Sequence, residues 1–236
     1  MHETRRDRLR PESRGRPEAV DGSGWLAALA GAVSFVLILI SATMLGNAPS
    51  ATDSGQKILS YLALHHGRLQ VGAVLTALAM STALVWAAGL FRALRRAEGG
   101  TPGLALAAFG GVALAAASTI TWALIEGTMA TRFNDLGAAG ARVLWTMFLL
   151  NFGALLVGLL VIIGATAIVC LRAHMFPRWF AVASTALALI SAVGACTIGY
   201  TAPGIQVVAG IAAILDGVWI LMVSIYFWRD PALTAP

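Results

Sequence analysis

Long apolar runs separated by short polar breaks occupy nearly all of the chain after Val20. Each of the six runs holds roughly 20 residues, the length that an α-helix needs to cross a hydrocarbon core of about 30 Å. The pattern therefore predicts an all-α protein, a polytopic membrane helix bundle with six transmembrane helices. The predicted spans are residues 25–45, 69–90, 103–127, 142–171, 178–200 and 205–228.

A polar segment between the first two runs has a helical pattern of its own. Ser54 can cap a helix in which Ile58, Tyr61 and Leu62 recur at helical spacing. We expect a short helix at about 54–66 that lies in the outer interface of the membrane.

Both ends of the chain are polar. Residues 1–24 contain six arginines and almost no apolar side chain that burial could order, so we expect a disordered basic tail there. The run at 25–45 has full membrane length and fits a signal anchor, with cleavage near Ala48 or Ala51 as the alternative. Residues 229–236 form a short C-terminal tail.

The composition is that of a protein dissolved in lipid. Of the 236 residues, 58% are hydrophobic and 11% are charged, which is too little polar material to coat a soluble domain. The connections between the runs are too short to hold a second folded domain.

The basic residues predict the orientation of the helices, because cytoplasmic connections carry the excess of arginine and lysine. Of the 16 basic residues, four fall on one side of the predicted layout: Lys57, Arg68, Arg132 and Arg142. The other twelve share the side of the two tails: Arg5, Arg6, Arg8, Arg10, Arg14, Arg16, Arg92, Arg95, Arg96, Arg172, Arg178 and Arg229. Both termini should therefore be cytoplasmic. Charge in this position directs membrane insertion, so we expect no nucleic-acid binding.

Small residues recur every four positions along four of the predicted spans. Such spacing lets helices approach closely in a bilayer, so these faces are expected to form the bundle interior, with contacts between subunits as the alternative. The residues are Ala73, Ala77 and Ser81; Ala107, Gly111, Ala115 and Thr119; Ser184, Ala188, Ala192 and Cys196; and Ala209, Ala213 and Gly217.

Asp216 lies near the middle of the sixth predicted span. An unpaired charge there costs about 2.5 to 3.5 kcal/mol on insertion scales, so the residue is either functional or a hydrogen-bonded structural aspartate. Its helical neighbours Ala209, Ala212 and Ala213 place it on the small-residue side.

Two further polar residues permit both a structural and a functional interpretation. Glu126 ends the third span, and a salt link to Arg132 or Arg142 at the outer interface is the structural interpretation. Asn151 is predicted outward of the centre of the fourth span, where an amide commonly joins helices.

Together the strongly polar positions predict a cavity in the outer half of the bundle, with Asp216 at its floor. The candidate residues are Asp216, Asn151, Glu126, Thr197, Tyr200 and Gln206.

The sequence holds no motif that would indicate catalysis. It has no Gly-rich phosphate loop, no His-Glu-x-x-His, no Gly-x-Ser-x-Gly and no Cys-x-x-Cys. No histidine lies in a predicted span to ligate haem, and no lysine lies there to form a retinal Schiff base. Cys170 and Cys196 are expected to pack as small apolar residues. We therefore expect no enzyme activity, no cofactor and no metal.

Three short motifs resemble those of uncharacterised bacterial six-span proteins grouped as a domain of unknown function. They are Arg95-Arg96-Ala97-Glu98-Gly99, His66-Gly67-Arg68 and Phe176-Pro177-Arg178-Trp179. The similarity covers residues 24–228, and Phe180-Ala181 departs from the Leu-Gly expected at that point. The resemblance implies a six-helix fold in the bacterial cytoplasmic (inner) membrane, and it implies no activity.

Two classes of function fit these patterns. In the first, the cavity around Asp216 binds or passes a small solute or a proton. In the second, the chain is a non-catalytic accessory or regulatory subunit whose small-residue faces pack against a partner helix or a second copy, while its basic tail contacts proteins or anionic lipid headgroups. Membrane lipids surround the protein in either case.

Overall fold

Six long α-helices form a bundle in the computed structural model, which describes residues 23–198, 203–230 and 233. The helices are α1 (Ser23–Leu45), α2 (Gly55–Glu98), α3 (Gly103–Arg132), α4 (Ala138–Ala173), α5 (Arg178–Ala195) and α6 (Pro203–Arg229). Single 3₁₀ turns follow α3 at Phe133–Asp135 and α5 at Cys196–Ile198, and the described residues contain no strand. All six helices are long and apolar enough to cross a membrane, which confirms the predicted all-α class and the number of helices of membrane length among the described residues.

The basic tail predicted at 1–24 falls almost wholly outside the described residues, and so does most of 229–236. Successive helices run in opposite directions. We call the end of the bundle with the α1–α2 and α3–α4 connections the cap end. The tail end carries the α2–α3 and α4–α5 turns.

Helix α2 differs from the prediction because it is one unbroken helix of 44 residues, where a separate helix at 54–66 and a span at 69–90 were expected. Ser54 is its N-cap as predicted, and its Oγ accepts from the amide of Lys57. Gly67 alone does not end the helix, since one glycine in a helix costs only about 1 kcal/mol relative to alanine. At 1.5 Å per residue α2 is about 66 Å long, roughly twice the thickness of the hydrocarbon core.

A small hydrophobic core at the cap end explains why the helix continues. Leu62 on α2, Met129 on α3 and Trp145 on α4 are fully buried against one another there. The Nε1 group of Trp145 donates to the carbonyl of Pro49 at 3.0 Å, and the hydroxyl of Tyr61 donates to the carbonyl of Leu45. The cap end is therefore a packed layer that holds the α1–α2 connection in place.

An ion pair also orders the α1–α2 connection. The ammonium of Lys57 lies 2.9 Å from a carboxylate oxygen of Asp53, and the amide of Ser50 donates to the other oxygen at 2.8 Å. The hydrogen bond from Lys57 is the main reason that the pKa of Asp53 lies below its usual value. The connection thus forms a local turn that leads into α2.

The predicted turns at the tail end are present. Gly99 ends α2 in the left-handed conformation with φ 65°, which glycine adopts without steric cost. The carboxylate of Glu98 then accepts from the amides of Leu104 and Ala105, each at 2.8 Å, and so caps the start of α3. His174 ends α4 in the same left-handed region, with φ 54°.

The small-residue prediction is right for the most closely packed helix pair. At the crossing of α3 and α4, Gly111 and Gly158 face each other, and a methyl group on Gly158 would lie 2.7 Å from the backbone nitrogen of Ala115. Ala115 and Thr119 are buried as well. The helices can approach this closely because neither glycine has a side chain.

The prediction is wrong for some members of the stripes. Ala77 and Ser81 on α2 and Ala107 on α3 are exposed on the outer surface of the bundle, and so is Cys196. Residues on the two faces of α2 differ in burial: Thr76, Ala79 and Met80 are buried, while the neighbouring Ala77 and Ser81 are not. Four-residue spacing alone does not tell the inner face of a helix from its outer face.

Candidate functional site

A cavity of about 380 Å³ lies in the middle of the bundle, between α1, α2, α3, α4 and α6. Its wall is mostly apolar. The hydroxyl and carboxyl groups in the wall belong to Ser34, Ser41, Thr76, Thr119, Glu126 and Asp216. The volume lies within the range of about 300 to 1,000 Å³ that is usual for small-molecule sites.

Asp216 lies at the middle of α6, and its side chain is 1% exposed. Ala209, Ala212 and Trp219 on the same face of the helix are also buried, as the sequence predicted. The hydroxyl of Ser191 on α5 lies 3.0 Å and 3.2 Å from the two carboxylate oxygens of Asp216 and donates to them. The residue therefore has a structural partner and also lines the cavity.

The sequence did not single out Ser191 as the partner of Asp216. Ser184 precedes it by two helical turns on the same face of α5, and its hydroxyl accepts from Nε1 of Trp219 at 2.8 Å. Two serines at a spacing of seven residues, opposite Asp216 and Trp219, therefore join α5 to α6. That spacing is the signal from which the pairing could have been inferred.

Glu126 is buried as well, at 2% exposed, and it projects into the cavity from α3. One carboxylate oxygen lies 2.8 Å from the position that a methyl group on Gly72 would take, so the carboxylate packs directly on the backbone of α2. Its Oε1 atom has no hydrogen-bond partner.

The predicted salt link of Glu126 to Arg132 or Arg142 at the outer interface is wrong. Among the described residues Glu126 has no ion pair, and Arg132 contacts Asp135 at 3.4 Å instead. The reason is that α3 and α4 continue past the membrane length into the cap end. Glu126 therefore lies six residues, or just under two helical turns, before the end of α3, and it is buried.

Three hydroxyl groups accompany the carboxyls on the facing helices. Ser41 donates to the carbonyl of Gly72 at 3.0 Å and lies 2.7 Å from the hydroxyl of Thr76. Ser34 donates to the carbonyl of Ala79 at 3.0 Å. These groups join α1 to α2 along the cavity wall, and the sequence alone does not single them out.

The two carboxyl groups lie at different depths. Asp216 is next to Gly217, against which the ring of Phe35 packs, whereas Glu126 lies at the level of Gly72 and Ser41. The six residues from Phe35 to Ser41 correspond to about 9 Å along α1. Glu126 is thus at the cap end of the cavity and Asp216 is near its centre.

A second cavity of about 230 Å³ lies on the cap side of the first, and Thr197 and Gln206 line it. Thr197 is buried, and its hydroxyl has no hydrogen-bond partner. The two cavities share a wall, and the indole of Trp122 meets the ring of Phe152 edge to face there, with centroids 5.1 Å apart. The shared residues are Leu45, Trp122, Phe152 and Gly210.

The remaining candidates are not brought to the main cavity. Asn151 lines neither cavity, and its Nδ2 group donates to the backbone carbonyl of Ser118 on α3 at 2.6 Å. Tyr200 lies outside the described residues. Of the six predicted residues, the structure places Asp216 and Glu126 in one cavity and Thr197 and Gln206 in the next.

The contact of Asn151 leads to a modest prediction. Replacement by leucine removes one interhelical hydrogen bond, and such bonds contribute about 0.6 kcal/mol on average in a membrane protein. Asn151→Leu is expected to lower the free energy of unfolding in detergent by this small amount and to leave ligand binding unchanged. Unfolding titrated with a denaturing detergent measures it, and a loss of binding would place Asn151 in the site.

Other groups with potential chemistry are scattered. No cluster of three His, Cys, Asp or Glu side chains that could hold a metal ion occurs among the described residues. Cys170 is buried near the tail end of α4, Cys196 is exposed beyond α5, and both thiols are free. His65 stacks on Tyr61 and His66 on Phe133, both at the cap end.

Comparison of the chain with protein-family models, with curated proteins and with solved structures finds no match. The resemblance to uncharacterised six-span bacterial proteins therefore stays a prediction. The inference of function rests on the site itself.

In chemical terms the site is an apolar cavity with two buried carboxyl groups in its wall. An apolar wall favours an apolar ligand, and a carboxyl group in such surroundings is stabilised by a hydrogen-bond donor or a cation. One carboxylate oxygen of Glu126 lacks such a partner within the described residues. The arrangement suits a ligand that combines an apolar body with an amine or another donor group.

Proposed function

We propose that this protein is a non-catalytic, multi-pass protein of the bacterial cytoplasmic membrane that binds a small solute in its central cavity. The solute has a mostly apolar body and one cationic or hydrogen-donating group. Asp216 and Glu126 are its polar anchors. In this proposal both termini are cytoplasmic, and the cap end faces outward.

The observation that supports this proposal most strongly is the position of the two carboxyl groups. Both line one cavity of about 380 Å³, and both are nearly inaccessible from outside the bundle. Burial of two acids in an apolar bundle is costly and is typical of transport or ligand-binding positions. A purely structural role explains the bond from Ser191 to Asp216, but it leaves Oε1 of Glu126 unexplained.

The second cavity continues the central one toward the cap end. Thr197 and Gln206 make its wall polar in part, and only the layer around Trp122 and Phe152 separates it from the central cavity. The tail half is filled by Trp86, Trp219 and Phe227, all buried. The solute site is therefore closer to the cap end than to the tail end.

A thiol-accessibility experiment tests the cavity. In a background of Cys170→Ala and Cys196→Ala, the variants Ala115→Cys and Ala213→Cys place a thiol in the cavity wall. We expect a small cationic thiol reagent to modify both at least about tenfold faster than a thiol in the packed core, since reaction requires a hydrated thiolate. Mass spectrometry of the reconstituted protein measures the rates.

The matched control is Ala93→Cys, because Ala93 is a buried α2 alanine that packs in the tail-half core and does not line the cavity. Preincubation with octylamine should protect Ala213→Cys, and octanol should protect it less because it has no charge. If the reagent modifies the cavity thiols and the core thiol at equal rates, the proposal is overturned.

The exposed Ala77 and Ser81 favour a second candidate, an accessory subunit that packs against a partner helix. Small residues on a lipid-facing surface permit such contact. In that case a stable complex should co-purify in mild detergent, and octylamine should protect no cavity thiol.

A further inference from the structure

Two close contacts between helices α1 and α6 lie in the tail half of the bundle. There a methyl group on Gly31 would overlap the hydroxyl of Ser224, and the ring of Phe35 packs against Gly217. These two contacts fix how near α1 and α6 come. They lie at or on the tail side of the level of Asp216.

Toward the cap end, α1 and α6 each contact a different helix. Ser41 on α1 bonds to α2, and Ala209 on α6 packs against Gly194 on α5. Between them, Gly210 has no atom within 4 Å of the position that its methyl group would take. At Gly210, two helical turns on the cap side of Gly217, α1 therefore does not reach this face of α6, and the two helices are separated there.

Residues along this separation line the cavity and are also exposed. Ile38 and Ala42 on α1 and Ile214 on α6 have this double property, and the exposed fractions of Ile38 and Ile214 are 42% and 67%. Because residues of both helices face the cavity as well as the surroundings at the same level, they mark an opening between the helices. The central cavity thus has a side opening between the cap halves of α1 and α6.

The surroundings of this opening are apolar. Leu39 and Ile40 on α1 and Ile211 and Leu215 on α6 are exposed beside it. Residues 25–45 contain no charged side chain, and Asp216 is the one charged residue in 203–228. A surface of this kind contacts the hydrocarbon of a bilayer, so the medium at the opening is lipid.

We propose that the ligand enters sideways from the membrane leaflet at the cap end, between α1 and α6, and that it is a single-chain amphiphile with a cationic amine. This inference rests on the proposed solute-binding function and specifies the ligand class and the route. The amine lies at Glu126, next to the hydroxyls of Ser41 and Thr76. The alkyl chain extends toward Ile220 and Trp86 at the other end of the cavity.

The depths of the groups support this placement. Glu126 is at the cap end of the cavity, nearest to the polar border of that leaflet, where the headgroup of an amphiphile resides. From the level of Gly72 to Trp86 the α2 wall spans 14 residues, or about 21 Å. The cavity is therefore elongated along the bilayer normal, in the direction of an alkyl chain.

Photolabelling in nanodiscs tests the route with the full chain. The probe is a long-chain primary alkylamine with a diazirine near the end of its chain, and its fatty-acid counterpart serves as the charge control. We expect the amine to label residues of the cavity wall and the fatty acid to label them severalfold less. Peptide mapping by mass spectrometry measures the labelling.

Substitutions at the opening separate the route from the site. Ala42→Phe should obstruct the opening and lower cavity labelling severalfold, whereas Ala77→Phe, on the lipid-facing surface of α2 and away from the cavity, should not. Ile214→Ala should widen the opening and raise the labelling rate. A variant that merely folds poorly would not produce this pair of results, because one substitution is expected to lower the labelling and the other to raise it.

The outcomes distinguish the two proposals. If Ala42→Phe and Ile214→Ala leave labelling unchanged while octylamine still protects Ala213→Cys, sideways access is overturned and solute binding stands. If octylamine gives no protection in the parent protein, the proposed function itself fails. If the fatty acid labels the cavity as strongly as the amine, the assigned ligand class is wrong.

Discussion

Replacement of Glu126 by glutamine is expected to weaken octylamine binding by roughly tenfold to hundredfold, because Glu126 is the proposed partner of the amine. A hydrogen bond to a charged group contributes about 1.5 to 3 kcal/mol, and each 1.4 kcal/mol corresponds to a factor of ten in affinity. Glutamine has the same shape as glutamate, and Oε1 of Glu126 has no hydrogen-bond partner to lose, so the fold should be retained. Octylamine protection of Ala213→Cys, titrated in both backgrounds, measures the change.

The matched control for this prediction is Asp135→Asn. Asp135 lies in the α3–α4 connection, is exposed and pairs with Arg132, so its neutralisation removes the same charge far from the cavity. Its effect on protection should be negligible. Asp216→Asn should weaken binding less, because Asp216 lies about 9 Å from the amine and its replacement can still accept from Ser191. If neither cavity variant changes the protection while both remain folded, the accessory-subunit hypothesis becomes the better account.

Addition of one methyl group at Gly158 is expected to destabilise the bundle by about 1 to 3 kcal/mol, the usual cost of overpacking. That methyl would lie 2.7 Å from the nitrogen of Ala115 and 2.8 Å from the carbonyl oxygen of Gly111. Both are backbone atoms of α3, which cannot move aside as a side-chain end can. The two helices must therefore separate along their crossing.

Gly164→Ala is the control in the same helix, because no atom lies within 4 Å of its added methyl group. This change should be neutral or slightly stabilising, since alanine favours the helix by about 1 kcal/mol relative to glycine. Unfolding in a denaturing detergent compares the two variants. Equal stabilities would mean that the α3–α4 crossing is looser than the structure indicates.

The number of membrane-length helices and most of their ends follow from the sequence because they depend on local properties. Twenty apolar residues satisfy the backbone within lipid as a helix, and Ser54, Gly99 and the Pro102 and Pro177 turns set boundaries. The burial of Asp216 was predictable for the same reason. Its helical neighbours are small residues, and an acid in a span faces away from lipid.

The depth of Glu126 was not predictable from its own helix. The prediction centred each span on the membrane by the length of its apolar run, but α3 and α4 continue into the packed core around Met129 and Trp145. That core depends on contacts between three helices. Hydropathy along one helix carries no information on them, and Glu126 was consequently placed too near the interface.

The partners of the polar groups escaped prediction for a related reason. Ser191 meets Asp216, and Ser41 meets Thr76, only because α5 lies beside α6 and α1 beside α2 at a particular rotation. Many arrangements of six apolar helices satisfy the same hydropathy pattern. The side opening between α1 and α6 likewise arises from the way the two helices diverge, and no single helix encodes it.

The unbroken course of α2 has a mechanical consequence. Its first turns are clamped between Met129 and Trp145 at the cap end, and further along it supplies Thr76 and Trp86 to the cavity wall. A stiff rod of this length has no joint at which an applied tilt could be absorbed. Binding of a protein or ion that tilts the exposed end of α2 would therefore move the cavity wall. Conversely, a ligand in the cavity would change the position of α2 at the opposite surface.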